Sequence, residues 1–477
     1  MPRFSEIFRL PLTQGALDFV DIDLSTDMPL FIDPYAIQIR QDEWSDACGN
    51  QIRSFFNALL DALRAGDRER STHLLGNLHE PNETHLGVSQ GRPSGRGVGD
   101  YKAELFSDAL VRSRAFQTGL LSDISEAELF IRGVGRDTIS DLTTNIIRGL
   151  LAQYTAHQCG LLGIATRQVG GIGPLWNINT LRWEAQQVEL PVHANRPILL
   201  VPKFSVRYKL SLDSQEFWNH YMIEFLQHEY QQAGGGLGRV LKSGERKVTK
   251  KEVKERHPFI KDGLADFVRA HPGVLETYKR IKGAKGPLDQ NDIEVDFDET
   301  AFAAALRQEL AEIPRGNDAA SEYHTLTMGI CTFLFYPQLI YPVKEHEIHE
   351  GRKRIDIKYT NASSEGFFYR IAVSPQIRAL SVFVECKNYT KELNNPELDQ
   401  ISGRFGHQRG FFGIIACRNM DDRLRIIQRC RDTANDGRGY ILVFEDEDFD
   451  GLLQYVEARQ RQHIDAFLQR RLSEITD

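Results

Sequence analysis

The chain is expected to be a mixed α/β protein in which a larger, helix-rich α/β region precedes a C-terminal mixed sheet flanked by helices. Three observations predict this. The first half carries apolar residues at spacings of three and four, as core-facing helices do. After Leu339, short β-favouring runs alternate with helical stretches, the pattern of a layered α/β sheet. Between the two, KGAKGPLDQND (residues 282–292) mixes glycine, proline and polar residues as an interdomain linker does. A length of 477 residues exceeds what one core usually serves, so we expect regions 1–285 and 286–477, the first of them open to further division.

The elements follow in order. Residues 51–63 carry Ile52, Phe55, Phe56, Leu59, Leu60 and Leu63 on one helical face, and 138–154 carry Ile139, Leu142, Ile146, Ile147, Leu150 and Leu151 likewise. Residues 197–201 read as a short strand and 214–231 as a helix. The glycine-rich stretches 91–100, 170–174 and 233–238 read as loops, since the first contains no GxxxxGK(S/T) and none follows a clear strand into a helix as a dinucleotide fingerprint does. In the second region, helices are expected at 299–310 and 321–335, then two strands at 339–348 and 352–359 joined at Gly351. Residues 367–373 read as a strand or hairpin arm, 379–387 as the central strand, and 396–405 as a helix with proline in its first turn. Strand 411–417, helix 421–433, strand 439–444 and an amphipathic helix over 449–472 complete the order.

Hydrophobic content of 41% and charged content of 26% argue against global disorder. The opening MPRFSEIFRLPLTQG lacks the apolar centre of a signal peptide, and no run approaches the roughly 18 apolar residues of a membrane span. A cytoplasmic protein is expected, with no membrane partner. Cysteines 48, 159, 331, 386, 417 and 430 stand singly without a CxxC pair, which suits a reducing compartment and buried thiols better than a zinc site. A net charge of -8 does not advertise nucleic-acid binding. The segment KSGERKVTKKEVKER (242–256) is nonetheless basic, and Lys279, Arg280, Lys282 and Lys285 continue the trend. It reads as a solvated, helix-flanked linker, with a phosphate-contacting arm as the alternative.

Chemistry concentrates in RIDIKY and SVFVECKNY, around Asp356 and Glu385 to Lys387. Val382, Phe383 and Val384 form an apolar β-favouring run that ends in charge. Strand side chains alternate, so Glu385 and Lys387 share one face while Cys386 takes the other. Magnesium prefers oxygen ligands and commonly takes one or two protein carboxylates, leaving room for water and phosphate. Asp356 and Glu385 are suited to that half-open shell, and Lys387 to orienting water or adding positive charge.

The order helix, hairpin, strand, helix, strand, helix, strand over residues 319–444 resembles the restriction-endonuclease-like fold of the PD-(D/E)XK nuclease superfamily. The resemblance implies that Asp356 and Glu385 bind Mg2+ or Mn2+ and that Lys387 assists the attacking water. Glu322 resembles the first-helix glutamate that reaches a metal or its water. Gln400 resembles the supporting glutamine of Mrr-type and RecB-type members; Arg404, a turn later, is placed to meet a phosphate. Asn388 and Tyr389 extend the same ECKNY ending. The implied activity is that of a metal-dependent endonuclease acting on DNA, with cutting controlled through the N-terminal region by an activating protein or ligand, as in prokaryotic defence and restriction effectors. An RNA-directed nuclease, or a non-catalytic nucleic-acid-binding or scaffold protein, are the alternatives. A homodimer would suit a double-strand cut, and Leu452, Leu453, Val456, Ile464, Phe467 and Leu468 offer a face that packs either on a second copy or on its own domain. The departure from the family is the separation of 29 positions between Asp356 and Glu385, which makes TNASSEGFFYRIAVSPQ an insertion. Glu345, Glu347 and Glu350 are reserve candidates for the first carboxylate.

Other motifs carry less. His346 and His349 in KEHEIHEG do not form HExxH and read as surface histidines. Arg68 and His73 match the RxxxxH pattern of HEPN-type ribonucleases, a match expected by chance with 14 histidines in the chain. His157 and Cys159 follow a helical stripe and are expected in the core.

Overall fold

Asp42 opens the first long helix by accepting the Ser45 backbone N–H, and α1 (Glu43–Arg64) then buries Ile52, Phe55, Phe56 and Leu59 on one stripe. The computed structural model describes residues 2–87, 97–233, 237–240, 246–294, 297–344, 357–389 and 395–476. Helix α2 (Arg136–Leu162) packs on α1 and stops at Gly163, whose φ of 67° supplies the left-handed turn that favours glycine. Both helices carry the expected stripes and run further in each direction than the stripes alone indicate. Part of the first glycine-rich stretch departs from the loop reading: Gly97 to Asp100 begin the helix Gly97–Arg112.

Of the expected strand at 197–201, only Arg196–Pro197 pairs with another strand. The next residues are buried without a ladder, because their amides find single partners: Leu199 donates to the Glu83 carbonyl and Leu200 to the Thr155 hydroxyl. The helix expected at 214–231 is Ser214–Phe217, a π-helical stretch at Trp218–Met222, and α3 (Ile223–Ala233). A two-stranded antiparallel hairpin, β1 (Arg239–Val240) with β2 (Arg246–Lys247), leads into α4 (Lys250–Arg256). Thr249 and Glu252 cap α4 reciprocally.

The C-terminal part begins with α5 (Glu299–Glu312) and α6 (Ala320–Phe335). It continues through β3 (Leu339–Lys344), β4 (Ile357–Asn361), α7 (Gly366–Val373), β5 (Ser381–Lys387), α8 (Asn395–Ser402), β6 (Phe412–Cys417) and α9 (Arg423–Asn435). The chain then ends through β7 (Tyr440–Glu445), α10 (Asp446–Glu457) and α11 (His463–Thr476). The five strands form one mixed sheet in the order β3-β4-β5-β6-β7, with β3-β4 and β4-β5 antiparallel and the remaining two pairs parallel. β5 is therefore central. Every residue of β6 is buried, as a strand covered on both faces should be.

Two expectations are corrected here. Residues 367–373 form no strand or hairpin arm but lie in α7, where Phe367, Phe368 and Ile371 at helical spacing go into the core and the Phe367 N–H reaches Asp465 of α11. An apolar run this short has the same composition in a buried helix and a buried strand, so its partners decide. The expected terminal helix is two helices, α10 and α11, parted at 458–462, where Arg459 takes a φ of 59°. Its apolar residues Leu452, Leu453, Val456, Ile464, Phe467 and Leu468 are all buried within the chain.

The regions on either side of residue 286 share one contiguous core. Leu12 fills the space over Gly329 of α6, where an added Cβ would come within 2.6 Å of it. Gln290 donates to the Gly15 carbonyl, and the Tyr336 hydroxyl donates to the Leu288 carbonyl, so the second half of the expected linker is tied to both regions. Asp18 joins the two parts directly, accepting the Tyr154 hydroxyl of α2 at 2.7 Å and the Tyr341 backbone N–H of β3 at 3.1 Å. Among the described residues, no helix is long and apolar enough to cross a membrane.

Candidate active site

β5 carries its apolar run Val382 to Val384 into the sheet interior and delivers Glu385 and Lys387 to one face. Their side chains are 1% and 7% exposed and form an ion pair. Cys386 points the other way, against Thr327 and Cys331 of α6, and burial pushes its thiol well up. Two charges on a buried strand carry a desolvation cost that their mutual attraction only partly offsets, and apolar residues of like volume usually serve stability as well.

Gln400 comes to the pair from α8, its Oε1 3.4 Å from Lys387 Nζ. Two glycines set that approach. An added Cβ on Gly413 of β6 would come within 2.6 Å of Ile401, and one on Gly439 before β7 within 2.1 Å of the Phe405 ring. Glycine at both positions thus lets α8 and the turn after it settle on the sheet. The helix ends at Ser402, so Arg404 occupies that turn rather than a further helical turn beside Gln400.

Beyond Lys387, the Asn388 side chain is 3% exposed and donates to the carbonyls of Pro314 (3.0 Å) and Gly316 (2.8 Å). The Gly316 N–H returns a bond to the Asn388 carbonyl at 3.0 Å. This clamp holds the α5–α6 connection against the end of β5. Its partners are backbone carbonyls some 70 residues upstream, so no side-chain pattern announced it. Tyr389 places its ring 5.7 Å from Lys387 Nζ.

At the neighbouring strand ends, Arg418 pairs with Asp446 at 2.8 Å, and the Tyr323 hydroxyl donates to Asp446 at 3.1 Å. Burial raises the Asp446 carboxyl to about 6, with Arg418 opposing the shift. Arg418 and Asp446 follow β6 and β7 and were not singled out from sequence, where RN and EDED look like ordinary turn and helix-start residues.

Glu322 lies on the first turn of α6 and is exposed. It lines a cavity of about 460 Å³ with Glu309, Glu312, Ile313, Leu326, Pro11 and Leu12. Burial, Glu312 and Glu322 together push the Glu309 carboxyl up. No described contact links Glu322 to Glu385 or Lys387. Asp356 and the reserve candidates Glu345, Glu347 and Glu350 lie outside the described residues, as do His346 and His349. The described pairing of β4 with β5 reaches Ile357 opposite Val384. In sequence, Asp356 precedes the first of these and Glu385 follows the second. Among the described residues, no group of three or more His, Cys, Asp and Glu side chains is placed to hold a metal.

The remaining sequence candidates separate. Cys159 is buried and its thiol pushed up to about 12, which leaves it inert. His157 does not share that burial: it is exposed at the edge of α2, with Nδ1 2.8 Å from the Tyr341 hydroxyl. Arg68 and His73 sit on the helix Arg68–Gly76, beside an open groove lined by Asp67, Arg68, Ser71 and Thr72.

Comparison with known proteins adds one result on the other part of the chain. Residues 9–213 match the model of a domain of unknown function, DUF8370, a stretch that takes in Asp18 and α2 and ends before the five-stranded sheet. The chain matches no curated protein and no solved structure.

Proposed function

We propose that the protein is a metal-dependent nuclease that hydrolyses phosphodiester bonds in DNA. The buried Glu385–Lys387 pair on the central strand, with Gln400 against the lysine, carries this reading. A buried carboxylate and ammonium that stability alone does not require suggest a task. The strand order and the ECK sequence agree with the restriction-endonuclease-like resemblance.

Asp356 and Glu385 would hold Mg2+ or Mn2+, a donor set of carboxylate oxygens that suits a hard cation keeping several waters. When bound, the ion lowers the pKa of its water and offsets charge on the phosphoryl oxygens. Lys387 aims positive charge at the reacting phosphate and orients the attacking water, and Gln400 holds its ammonium in place. Buried surroundings strengthen that interaction, because little water competes for it. The direct bonds from Asp18 to α2 and to β3 suit a conditional cutter of the kind used in prokaryotic defence, whose N-terminal region controls cutting.

Cleavage of plasmid and linear DNA, single-stranded DNA and RNA, measured with and without Mg2+ or Mn2+, tests the reading. Activity should require the metal, favour DNA, and disappear in Asp356→Ala, Glu385→Ala and Lys387→Ala. A Glu385→Ala protein that cuts as well as the parent sinks it.

A further inference from the structure

We infer that the β1–β2 hairpin and α4 form a docking surface for the phosphate backbone of duplex DNA; the choice of DNA over other duplexes rests on the nuclease reading above.

Between Arg239 and Arg256 the chain has eight Lys and Arg against three Asp and Glu, in a protein whose net charge is -8. Among the described residues the structure gathers several of these cations on one surface, while Lys250 is matched by Glu224. Buried Val248 and Val253 anchor the hairpin and α4, while the Gln227 side chain of α3 donates to the Val248 carbonyl and Trp218 Nε1 to the His257 carbonyl. With the apolar side docked, Arg239, Lys247, Lys251 and Arg256 are left exposed.

Arg239 and Lys247 are direct cross-strand partners. Like charges placed opposite one another oppose strand pairing, and a polyanion laid across them reverses the sign. Local carboxylates do little to offset the charge. Glu252 feels Arg239 but is bonded to Thr249 as a helix cap, and Glu255 meets Lys251 at 4.0 Å with both side chains largely in water. By contrast, Lys279 and Lys282 pair with Glu126 and Glu216 at 2.5–2.7 Å, and at the start of α4 Lys250 pairs with Glu224 at 2.6 Å, leaving Arg239, Lys247, Lys251 and Arg256 as the exposed set. The excess charge is thus local to the hairpin and α4.

Proteins that hold single strands combine such charge with aromatic rings on which bases stack. The rings beside α4 are already engaged: Phe259 packs against Trp218 at 5.7 Å, Lys254 lies 5.0 Å from the Trp218 ring and Arg256 5.5 Å from the Tyr230 ring. A cationic surface without a stacking platform suits a duplex backbone.

Fluorescence anisotropy of the full chain with a labelled DNA duplex, in EDTA across a salt series, tests docking without any cut. Wild-type affinity should fall steeply with salt. Arg239→Ala/Lys247→Ala/Lys251→Ala should weaken binding about tenfold or more near 0.1 M salt and reduce the log–log salt slope by about 3, one unit for each lost phosphate contact. Lys247→Glu is the second variant: it replaces a like-charge cross-strand pair by an opposite one, so it should melt no lower than the parent while binding more weakly. Absence of wild-type binding, unchanged binding in both variants, or tighter binding of single strands or of RNA duplex overturns the inference. Intact binding without metal-dependent cleavage would count against the nuclease reading alone.

Discussion

Gln400 Oε1 lies 3.4 Å from Lys387 Nζ, and the approach depends on two glycines that neither residue touches in sequence. Ile401 rests over Gly413 and Phe405 over Gly439, so the segment bearing Gln400 lies closer to β6 and β7 than any side chain at those glycines would allow. Lys387 is in turn paired with Glu385 within the same strand. Sheet, helix and ion pair therefore form one mechanical unit.

Gly439→Ala strikes that unit at a distance from the charges. The new methyl would stand 2.1 Å from the Phe405 ring at a φ of 115°, so both crowding and backbone strain oppose it. Stability should drop by about 1–3 kcal/mol, read from denaturant unfolding. DNA cleavage should show a lower kcat with little change in KM, and Gln400→Ala should lower kcat about tenfold without the stability loss. A Gly439→Ala protein with unchanged kcat and stability would show that α8 does not need this close approach.

The buried pair itself separates stability from activity. Removing one partner strands the other charge away from water, so Glu385→Gln should destabilise the fold by about 3–5 kcal/mol. Glu385→Gln/Lys387→Met removes both charges and should recover most of that stability while remaining without cleavage activity. Thermal melts and plasmid nicking on the same preparations read the two effects. If the double variant is as unstable as the single one, the pair is part of the framework rather than a charged site the fold tolerates.

Lys203 gives a pH signature at the join between the two regions. Its side chain is fully buried, with Nζ 4.4 Å from the Tyr336 ring; burial lowers its pKa from 10.5 to about 7, against the pull of Asp18 and with the push of Arg461. Between those values the unfolded chain holds a proton that the folded chain has released, so stability rises with pH across that window and is flat below about 7. Burial pushes the Asp18 carboxyl up against the pull of Lys203, so Lys203→Met moves it up further and widens the difference between the two profiles. Relative to Lys203→Met, the parent should therefore gain about 2 kcal/mol of unfolding free energy from pH 7 to pH 9. Parallel pH profiles of the two proteins would show that Lys203 stays protonated in the fold.

The sharing of one strand face by Glu385 and Lys387 was legible from residue types alone, since alternation is a local property of any strand. So were the stripes of α1 and α2, and the order of strands and helices around β5. α7 was not: Phe367 to Val373 suits a strand as well as a helix, and its packing on α11 decides. The break at Arg459 was hidden because amphipathic spacing continues on both sides of it. Glu322 was placed by its position in the helix order, but a residue's reach depends on where its helix docks, and the structure sets it beside Glu309 and Glu312.

What the sequence determined by itself is the chemistry available at the end of β5: a carboxylate, an ammonium and a thiol in fixed alternation, because neighbours in a strand are related by covalent geometry. What only the tertiary structure decided is which distant groups meet that chemistry. Gln400 reaches Lys387 because glycines admit α8. Asn388 clamps carbonyls of the α5–α6 connection, and Asp18 bridges α2 and β3. Those contacts depend on how separate elements pack, which local spacing does not encode.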